Sequence, residues 1–373
     1  MTKSFDVCIR GAGIVGSVLA LQLASQRLRV ALVQSPVLRG DKAHADVRAY
    51  ALNQRSRDVL EAVRCWPDAR NATPITHMQV FGDQGGQVQF LASEQASKAL
   101  TWVVDVPALE QHLSEALRYQ GLVELFDTPQ PAALTVVCEG KASTTRKEWG
   151  VEFDAQPYGQ SALACRVECE KAHDQTARQW FAGGEILAFL PLEGEGSSTC
   201  AVVWSLSPER ARQLQGLAPE DFQEALREAS RETLGAVRLC SDRVVWPLQH
   251  AQARRWSGKG AMGAWVLAGD AAHNVHPLAG QGLNLGLGDV QELVHILSTR
   301  AFWREVNDPK LLRQYERTRK ADFALVGGSG DALQRLFAHN HALVRGARNW
   351  GMNRFEQVPW IKQWVAQRAM GTD

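Results

Sequence analysis

A glycine-rich turn near the start of the chain constrains the fold more than any other feature. Residues 11–16 read GAGIVG, follow an apolar strand pattern at residues 5–9 and open a helical pattern over residues 14–25. A second strand is predicted at residues 29–33, so residues 4–35 form one βαβ unit. A GxGxxG run in this setting is typical of parallel sheets that bind a dinucleotide.

Each glycine of this turn has its own physical task. Gly11 permits the tight turn, Gly13 lets the backbone approach a pyrophosphate, and Gly16 allows close packing of helix on strand. The backbone of Ile14 and Val15 belongs to the same site, because the first N–H groups of a helix lack intrahelical partners and carry partial positive charge. We therefore predict that this turn binds the phosphates of a dinucleotide.

The same pattern occurs again at residues 258–263, as GKGAMG. There it comes before a predicted strand instead of after one. We interpret this second copy as a loop without a binding role.

Two polar residues near the first turn leave alternatives open. An acidic side chain is expected about 20 residues after such a turn, where it binds ribose hydroxyls, and this chain has Gln34 there. An amide can still bond a hydroxyl, although without charge assistance. Arg10, at the end of the first strand, either has a satisfied partner at the surface or contacts the cofactor phosphates.

A second signature occupies residues 265–289, WVLAGDAAHNVHPLAGQGLNLGLGD. A strand ends in Gly-Asp, a turn rich in proline and glycine follows, and a helix is predicted from about Gly282. Asp270 can accept hydrogen bonds from the ribityl hydroxyls of a flavin. The helix start at residues 282–284 offers N–H groups to the flavin pyrimidine edge, where they stabilise the reduced anionic form.

Bulk properties narrow the function further. A length of 373 residues predicts about two domains, and a net charge of +1 gives no reason to expect a nucleic-acid partner. Seven scattered cysteines suggest free thiols in a reducing compartment, and no metal-ligand spacing stands out. We find neither a signal-peptide pattern nor a long apolar run, so we expect a cytoplasmic protein.

The two signatures together resemble the class A aromatic flavoprotein monooxygenases with the para-hydroxybenzoate hydroxylase fold. Within that class the chain is similar, from residue 4 to residue 371, to the hydroxylases of ubiquinone biosynthesis. The shared marks are DVRAYAL at residues 46–52, WPL at 246–248, HPLAGQGLNLGLGD at 276–289, YERTR at 315–319 and RAMG at 368–371.

The fold that we expect is α/β, because strands of two styles alternate along the chain. A Rossmann-type FAD-binding domain is interleaved with a mostly antiparallel-sheet substrate domain, and C-terminal helices follow. We assign residues 1–74, 105–150 and 251–310 to the FAD-binding domain and residues 75–104 and 151–250 to the substrate domain. Residues 311–373 form the C-terminal helical region.

The resemblance also implies which residues bind FAD. It assigns the ADP pyrophosphate to the first turn, the FAD phosphates or the adjoining flavin loop to Arg48, and the ribitol to Asp270. A segment that serves both FAD and NAD(P)H in the family aligns with Glu139. Residues lining the isoalloxazine would be Pro277, Gly280, Gly282, Leu283 and Asn284. His276 either faces the substrate or is bonded to the backbone.

The implied reaction is hydroxylation of a phenolic ring, in a polyprenylated ubiquinone precursor, with O2 and NAD(P)H as co-substrates. The family works through a flavin C4a-hydroperoxide, so we nominate no catalytic base. Two rivals stay open: other chemistry on the same fold, by a prenyl reductase or halogenase, and a weakly active accessory member of a quinone-biosynthesis complex. The second rival is motivated by Gln34, where the family has an acidic residue, and by Glu139, where the family has aspartate.

The C-terminal segment has two interpretations. Residues 335–371 carry six basic side chains against one acid, and Trp360, Ile361, Trp364 and Val365 share one helical face. Either this helix packs on the FAD-binding domain, or it contacts anionic lipid or a partner protein, which would place the protein peripherally on the inner membrane face.

Overall fold

The computed structural model describes residues 5–34, 46–83, 85–95, 97–260, 263–275, 281–338 and 370–371. Within these residues the strands are β1 (Phe5–Arg10), β2 (Val30–Val33), β3 (Ala49–Leu52), β4 (Ala72–Ile75), β5 (His77–Phe81), β6 (Gln87–Leu91), β7 (Thr101–Asp105), β8 (Val123–Phe126), β9 (Ala132–Val137), β10 (Phe153–Cys169), β11 (Thr176–Ala182), β12 (Glu185–Pro191), β13 (Thr199–Leu206), β14 (Val237–Leu239), β15 (Val244–Ala253), β16 (Ser257–Gly260), β17 (Gly263–Leu267) and β18 (His273–Asn274).

The helices occupy fewer segments but cover the longer runs of chain. They are α1 (Ile14–Ser25), α2 (Gln54–Ala62), α3 (Val106–Arg118), α4 (Thr144–Glu148), α5 (Pro208–Gly216), α6 (Pro219–Ala229), α7 (Gln281–Ser298) and α8 (Pro309–Ala338). A short 3-10 helix covers Gly269–Ala271.

A six-stranded sheet forms the first layer, in the order β16-β17-β9-β1-β2-β8. Its strands run parallel except β16, which pairs antiparallel with β17. β2, the centre of β1 and the second half of β9 are buried and mostly apolar, as expected for strands covered on both faces. The predicted Rossmann-type layer is confirmed, and α1 has the bounds that its sequence pattern predicts.

The second layer is a nine-stranded, mostly antiparallel sheet. Its order is β18-β15-β10-β13-β12-β11-β5-β6, with β14 beside β10, and only β5 and β11 pair in parallel. Its apolar face packs on α5 and α6 through a core that includes Trp180, Phe189 and Phe222. The interleaved architecture predicted from the sequence is therefore confirmed.

A small three-stranded sheet, β3-β7-β4, joins the two predicted domains. The boundaries placed at residues 74/75 and 104/105 cross this sheet, because β4 and β7 pair with each other and β3 pairs with β7. β3 covers Ala49–Leu52, where we predicted no strand from the sequence. The loop predicted over residues 258–263 was wrong, since residues 258–260 lie in β16 and Gly263 begins β17.

The C-terminal helix α8 packs on α7 and β16. At the far end of the chain Met370 is buried with Ala92 and Leu100. The tryptophan-bearing segment at residues 359–365 and most of the basic residues of the tail lie outside the described residues. No helix among the described residues is long and apolar enough to cross a membrane.

Candidate cofactor site

The turn before α1 is shaped by backbone contacts that exclude side chains. Gly11 has φ +112°, and a Cβ there would lie 2.4 Å from the Cys138 carbonyl oxygen. A Cβ on Gly16 would lie 1.9 Å from the Gly11 carbonyl oxygen, so this helix position tolerates only glycine. The turn, α1 and the end of β9 are thereby in direct backbone contact.

Gly13 differs from its two neighbours, because a Cβ there would meet no described atom within 4 Å. It is the N-cap of α1, and the first turn of that helix carries neither a side-chain cap nor an acidic residue. Among the described residues, no side chain therefore caps the N–H groups at this positive end of the helix dipole. A negatively charged group fits this position.

Val15 connects the two sequence signatures. Its Cγ2 would lie 3.3 Å from a Cβ on Gly269 and 2.8 Å from a Cβ on Gly286, so both glycines leave room for this valine. Val15, within the first glycine-rich turn, thus packs against the turn that carries Asp270 and against α7. Ile14, in contrast, is buried in the core of the parallel sheet layer.

The start of α7 has one open position and two occupied ones. A Cβ on Gly282 would meet no described atom within 4 Å, and the first turn of α7 has no acidic residue. The Leu283 side chain belongs to the buried core. Asn284 is also buried: its Oδ1 accepts hydrogen bonds from Asn53 N at 3.0 Å and Ser56 Oγ at 2.6 Å.

Asn284 also donates from Nδ2 to the Ala51 carbonyl oxygen at 2.9 Å. Its amide therefore ties α7 to the end of β3 and the start of α2. Leu283 and Asn284, which we predicted to line the isoalloxazine, point their side chains into the protein. A flavin at these positions would be contacted through the backbone N–H groups.

Asp270 lies at the carboxyl end of β17, within the 3-10 helix. Gly269 before it has φ +60°, a left-handed conformation that glycine adopts without strain. The turn is held by backbone bonds from Ala272 N to Gly269 O and from Ala253 N to Ala272 O, each 2.8 Å. The Asp270 carboxylate is thus presented from a fixed backbone at the edge of the parallel sheet.

A buried charged cluster behind this turn was not predicted from the sequence. Asp289 accepts hydrogen bonds of 2.7 Å from Gly269 N, His273 Nε2 and Arg319 Nε. Burial raises the pKa of Asp289, but the charges of His273 and Arg319 outweigh this effect and lower it overall. The sequence signal was Asp289 itself, a carboxylate within the otherwise apolar first half of α7, whereas Arg319 lies in a charged stretch and gives no such signal.

The end of β2 brings Gln34 to the same edge of the sheet, where its backbone N–H donates to the Phe126 carbonyl oxygen at 2.9 Å. Arg48 is exposed and its Nη2 lies 2.5 Å from Asp46 Oδ2. A hydrogen bond to Asp46 raises the pKa of Arg48, so this guanidinium stays charged. The ion pair with Asp46 therefore partly satisfies the charge of Arg48, the residue that we predicted to contact the FAD phosphates.

Glu139 has several protein partners. Its Oε1 accepts from Arg10 Nε at 3.1 Å, and its Oε2 accepts from Ser143 Oγ at 2.8 Å and Thr145 N at 3.0 Å. The Thr145 hydroxyl donates to the same carboxylate. We gave two interpretations of Arg10. The structure supports the one in which Arg10 has a satisfied partner, and that partner is Glu139.

Arg146 is a second buried residue that the sequence reasoning missed. It donates from Nη1 to the Ala271 carbonyl oxygen and from Nη2 to the Lys141 carbonyl oxygen, each at 2.8 Å, and its Cζ lies 3.6 Å from the centre of the Phe153 ring. Desolvation lowers its pKa. Arg146 therefore links the Glu139 segment to the turn that carries Asp270.

An open cavity of about 580 Å³ lies on the antiparallel sheet near this turn. Its walls are mostly polar and are formed by Phe153, Asp154, Ala155, Gln156, His250, Gln252 and Arg254. His250 is separated from His273 by the Phe323 ring, whose centre lies 5.2 Å from one imidazole and 5.3 Å from the other.

Three predicted site residues, His276, Pro277 and Gly280, lie outside the described residues. Among the residues that the structure does describe, no group of three or more potential ligands could hold a metal ion. All seven cysteines are free thiols.

A comparison with known families finds one match that spans most of the chain. The family described as the FAD binding domain matches residues 4–135 and 131–326. The match includes both turns described above and the parallel sheet that carries them.

Two relatives and one solved structure are similar to this chain over nearly its whole length. A 3-demethoxyubiquinol 3-hydroxylase from Escherichia coli (strain K12) is 28% identical over 392 residues, covering 98% of each chain. The ubiquinone hydroxylase UbiL from Rhodospirillum rubrum is 30% identical over 401 residues, covering 99% of this chain and 90% of its own. The p-nitrophenol 4-monooxygenase PnpA from Pseudomonas putida DLL-E4 has a TM-score of 0.77 at 17% identity, covering 99% of this chain and 98% of the other; it shows the fold alone.

Proposed function

The chain belongs to the FAD binding domain family, as an FAD-dependent monooxygenase of the hydroxylase type, and on this premise we propose that its substrate is a phenolic ring. We propose a polyprenylated ubiquinone precursor as the molecule that carries this ring, with O2 and NAD(P)H as co-substrates. End-to-end similarity to two enzymes named as hydroxylases of ubiquinone or its precursors supports the proposal.

One observation carries the cofactor assignment: a Cβ on Gly13 or on Gly282, at the starts of α1 and α7, would meet no described atom within 4 Å, and Val15 of α1 packs against Gly286 of α7. FAD fits because its pyrophosphate is anionic and its reduced ring carries negative charge near the pyrimidine edge. We propose that the first turn of α1 binds the pyrophosphate and that the N–H groups of residues 282–284 bind the ring edge.

Asp270 and Gln34 complete this proposal. The Asp270 carboxylate accepts hydrogen bonds from the ribityl hydroxyls, and the Gln34 amide bonds the ribose without charge assistance. Arg48 contributes positive charge near the phosphates, shared with Asp46. Glu139 acts through Arg10 and the start of α4, which it holds in place.

Bound FAD supplies the electron-transfer and oxygen-activating chemistry. The chain's own residues bind and orient the cofactor, position the ring and exclude water from it. The two helix dipoles stabilise negative charge where they meet the cofactor. The second GxGxxG pattern lies partly in the hairpin of β16 and β17, so we propose that NAD(P)H binds transiently on the FAD-binding domain.

Profiling of quinone precursors by mass spectrometry tests the substrate. A strain that lacks this protein should accumulate a prenylated precursor missing one hydroxyl, and the wild-type chain should clear it. A Gly13→Asp variant, which places a carboxylate at the phosphate position, should fail to clear it. An unchanged precursor profile in the deletion strain would refute the substrate assignment.

Two rivals are separated by simpler assays. Oxygen consumption coupled to a hydroxylated product distinguishes the proposal from a prenyl reductase or a halogenase. The accessory-protein alternative is favoured by Gln34 and by the engagement of Glu139 with protein groups. Purified protein without a yellow chromophore, before and after addition of FAD, would support that alternative.

We further propose a cytoplasmic protein that contacts the inner membrane face or a biosynthetic complex through its C-terminal helices. The basic, tryptophan-bearing composition of residues 335–371 supports this, because a prenylated substrate resides in the bilayer. Flotation with anionic liposomes, with and without residues 355–369, tests it while Met370 and its neighbours are retained. Equal, negligible flotation of both forms would refute lipid contact.

A further inference from the structure

The Asp289 carboxylate holds both ends of the turn that carries Asp270. Its Oδ2 accepts from the backbone N–H of Gly269, just before Asp270, and from Nε2 of His273, three residues after it. Both bonds are 2.7 Å long. Because Asp289 lies on α7, these bonds fix the turn against the helix whose N-terminus faces the cofactor.

The other oxygen of this carboxylate is oriented by α8. Arg319 Nε donates to Asp289 Oδ1 at 2.7 Å, and Arg319 Nη2 donates to the Leu285 carbonyl oxygen at 3.2 Å. A Cβ on Gly288 would lie 2.9 Å from Arg319 Nη2, so a glycine at this helix position leaves room for the guanidinium. The arginine thus binds α7 at two points.

Aromatic rings enclose this arrangement. The His273 ring centre lies 4.8 Å from that of Trp256 and 5.3 Å from that of Phe323. The side chains of His273, Asp289 and Arg319 are 1%, 0% and 7% exposed. Water cannot replace a lost partner at such depth, so each bond holds the geometry firmly.

We propose that Asp289 is a positioning residue for FAD, which fixes the distance between Asp270 and the N-terminus of α7, and that Arg319 orients it from α8. This rests on the proposed cofactor site: ribityl chain and ring edge are adjacent parts of one cofactor, so their two binding groups must keep a set spacing. It gives α8 and the YERTR segment a role in cofactor binding without contact with FAD.

A double-mutant cycle on FAD affinity tests the proposal. Asp270→Ala and Asp289→Asn are made singly and together, and FAD dissociation constants are measured by quenching of flavin fluorescence. We expect each single change to weaken binding about tenfold, the loss of one charge-assisted hydrogen bond. Because Asp289 acts through Asp270, the double variant should be little weaker than Asp270→Ala alone.

Two further variants keep the test informative if Asp289→Asn fails to fold. His273→Gln releases only the far end of the turn, and Arg319→Lys keeps the charge but not the planar donor pair. Both should weaken FAD binding and shift the visible absorption band of the bound flavin. Arg317→Met, an exposed neighbour on α8, is the matched control and should change neither.

Additive losses in the cycle, or FAD affinity unchanged in Asp289→Asn and His273→Gln, would overturn the positioning role. Wild-type protein that binds no FAD would instead refute the proposed cofactor site on which this role rests. Because the readout is FAD binding, a failure to hydroxylate any given phenol leaves the result of the cycle intact.

Discussion

The start of α1, with its glycine turn, and the start of α7, with the Asp270 turn packed on that helix, are built in opposite ways. The first is formed by missing side chains, since Gly11 and Gly16 each sit against backbone atoms. The second is formed by buried polar side chains, with Asp289 and Asn284 as its centres. Backbone packing leaves little freedom to vary, whereas a side-chain network can be changed one bond at a time.

The largest effect on stability is expected from Gly16→Ala, which tests the backbone packing of the turn before α1. The new Cβ would overlap the Gly11 carbonyl oxygen, so the turn or the helix must shift. We expect the free energy of unfolding to fall by about 4 kcal/mol or more, measured by urea denaturation of the apoprotein. A loss below about 1 kcal/mol would show that the turn is less constrained than its contacts indicate.

Arg319→Met tests the side-chain network around Asp289 through the pH dependence of the free energy of unfolding. In the wild-type chain the pKa of Asp289 is lowered, so its contribution to stability is present above the unfolded value near 3.8 and is lost as pH falls through the folded value. Without Arg319, burial still favours a raised pKa of Asp289, opposed by the charge of His273 and by the hydrogen bond from the Gly269 N–H. A raised pKa reverses the sign, so stability is lost as pH rises.

The stability difference between wild type and Arg319→Met should therefore grow with pH. We expect it to be small near pH 4 and about 3 kcal/mol near pH 7, the cost of leaving a buried charge without its partner. Thermal denaturation across this range measures it, with Arg317→Met as the exposed control on the same helix. A difference independent of pH would mean that Arg319 acts by packing alone.

Asn284→Ala tests whether one side chain of the network contributes less to stability than the backbone contact at Gly16. It leaves the Asn53 N–H, the Ser56 hydroxyl and the Ala51 carbonyl oxygen without this partner. We expect a loss of about 2 kcal/mol in the apoprotein, and FAD affinity should fall because the start of α7 is released. Unchanged FAD affinity would place the isoalloxazine away from α7.

Gly13→Ala is expected to have the smallest effect on stability and a clear effect on binding. A methyl group meets no described atom, so the apoprotein should unfold within about 0.5 kcal/mol of wild type. The same methyl group enters the space proposed for the pyrophosphate and should weaken FAD binding about tenfold, or roughly 1.4 kcal/mol. Titration with FAD measures this, and Gly282→Ala makes the parallel test at α7.

The difference between the two turns also explains what could be predicted from the sequence. The role of Gly16 is local, because it contacts Gly11 within the same βαβ unit, whereas Gly11 itself lies against Cys138 at the end of β9. The bounds of α1 were predicted correctly. The pairing of Asp289 with Arg319 joins α7 to α8. No local sequence pattern predicts such a contact between separate helices. β3 was missed for the same reason, since its partner β7 comes about 50 residues later.

Orientation of polar side chains was the least predictable property. The motif assigned Asn284 to the flavin, but its amide bonds Asn53, Ser56 and Ala51, groups supplied by a distant segment. Arg10 was left with two interpretations, and only the approach of Glu139 across parallel strands supports one of them. A sequence pattern places such residues in a turn, whereas the tertiary partner decides which way they face.

The docking of Met370 has a consequence for the order of assembly. Its pocket at Ala92 and Leu100 adjoins the start of α2, where a Cβ on Gly371 would lie 2.9 Å from Asn53 Nδ2. Asn53 in turn donates to Asn284, so the neighbourhood of α7 includes a segment that the ribosome makes long after both glycine turns. A nascent chain can thus form the glycine turn before α1 early, while full enclosure of the start of α7 waits for residues 370–371.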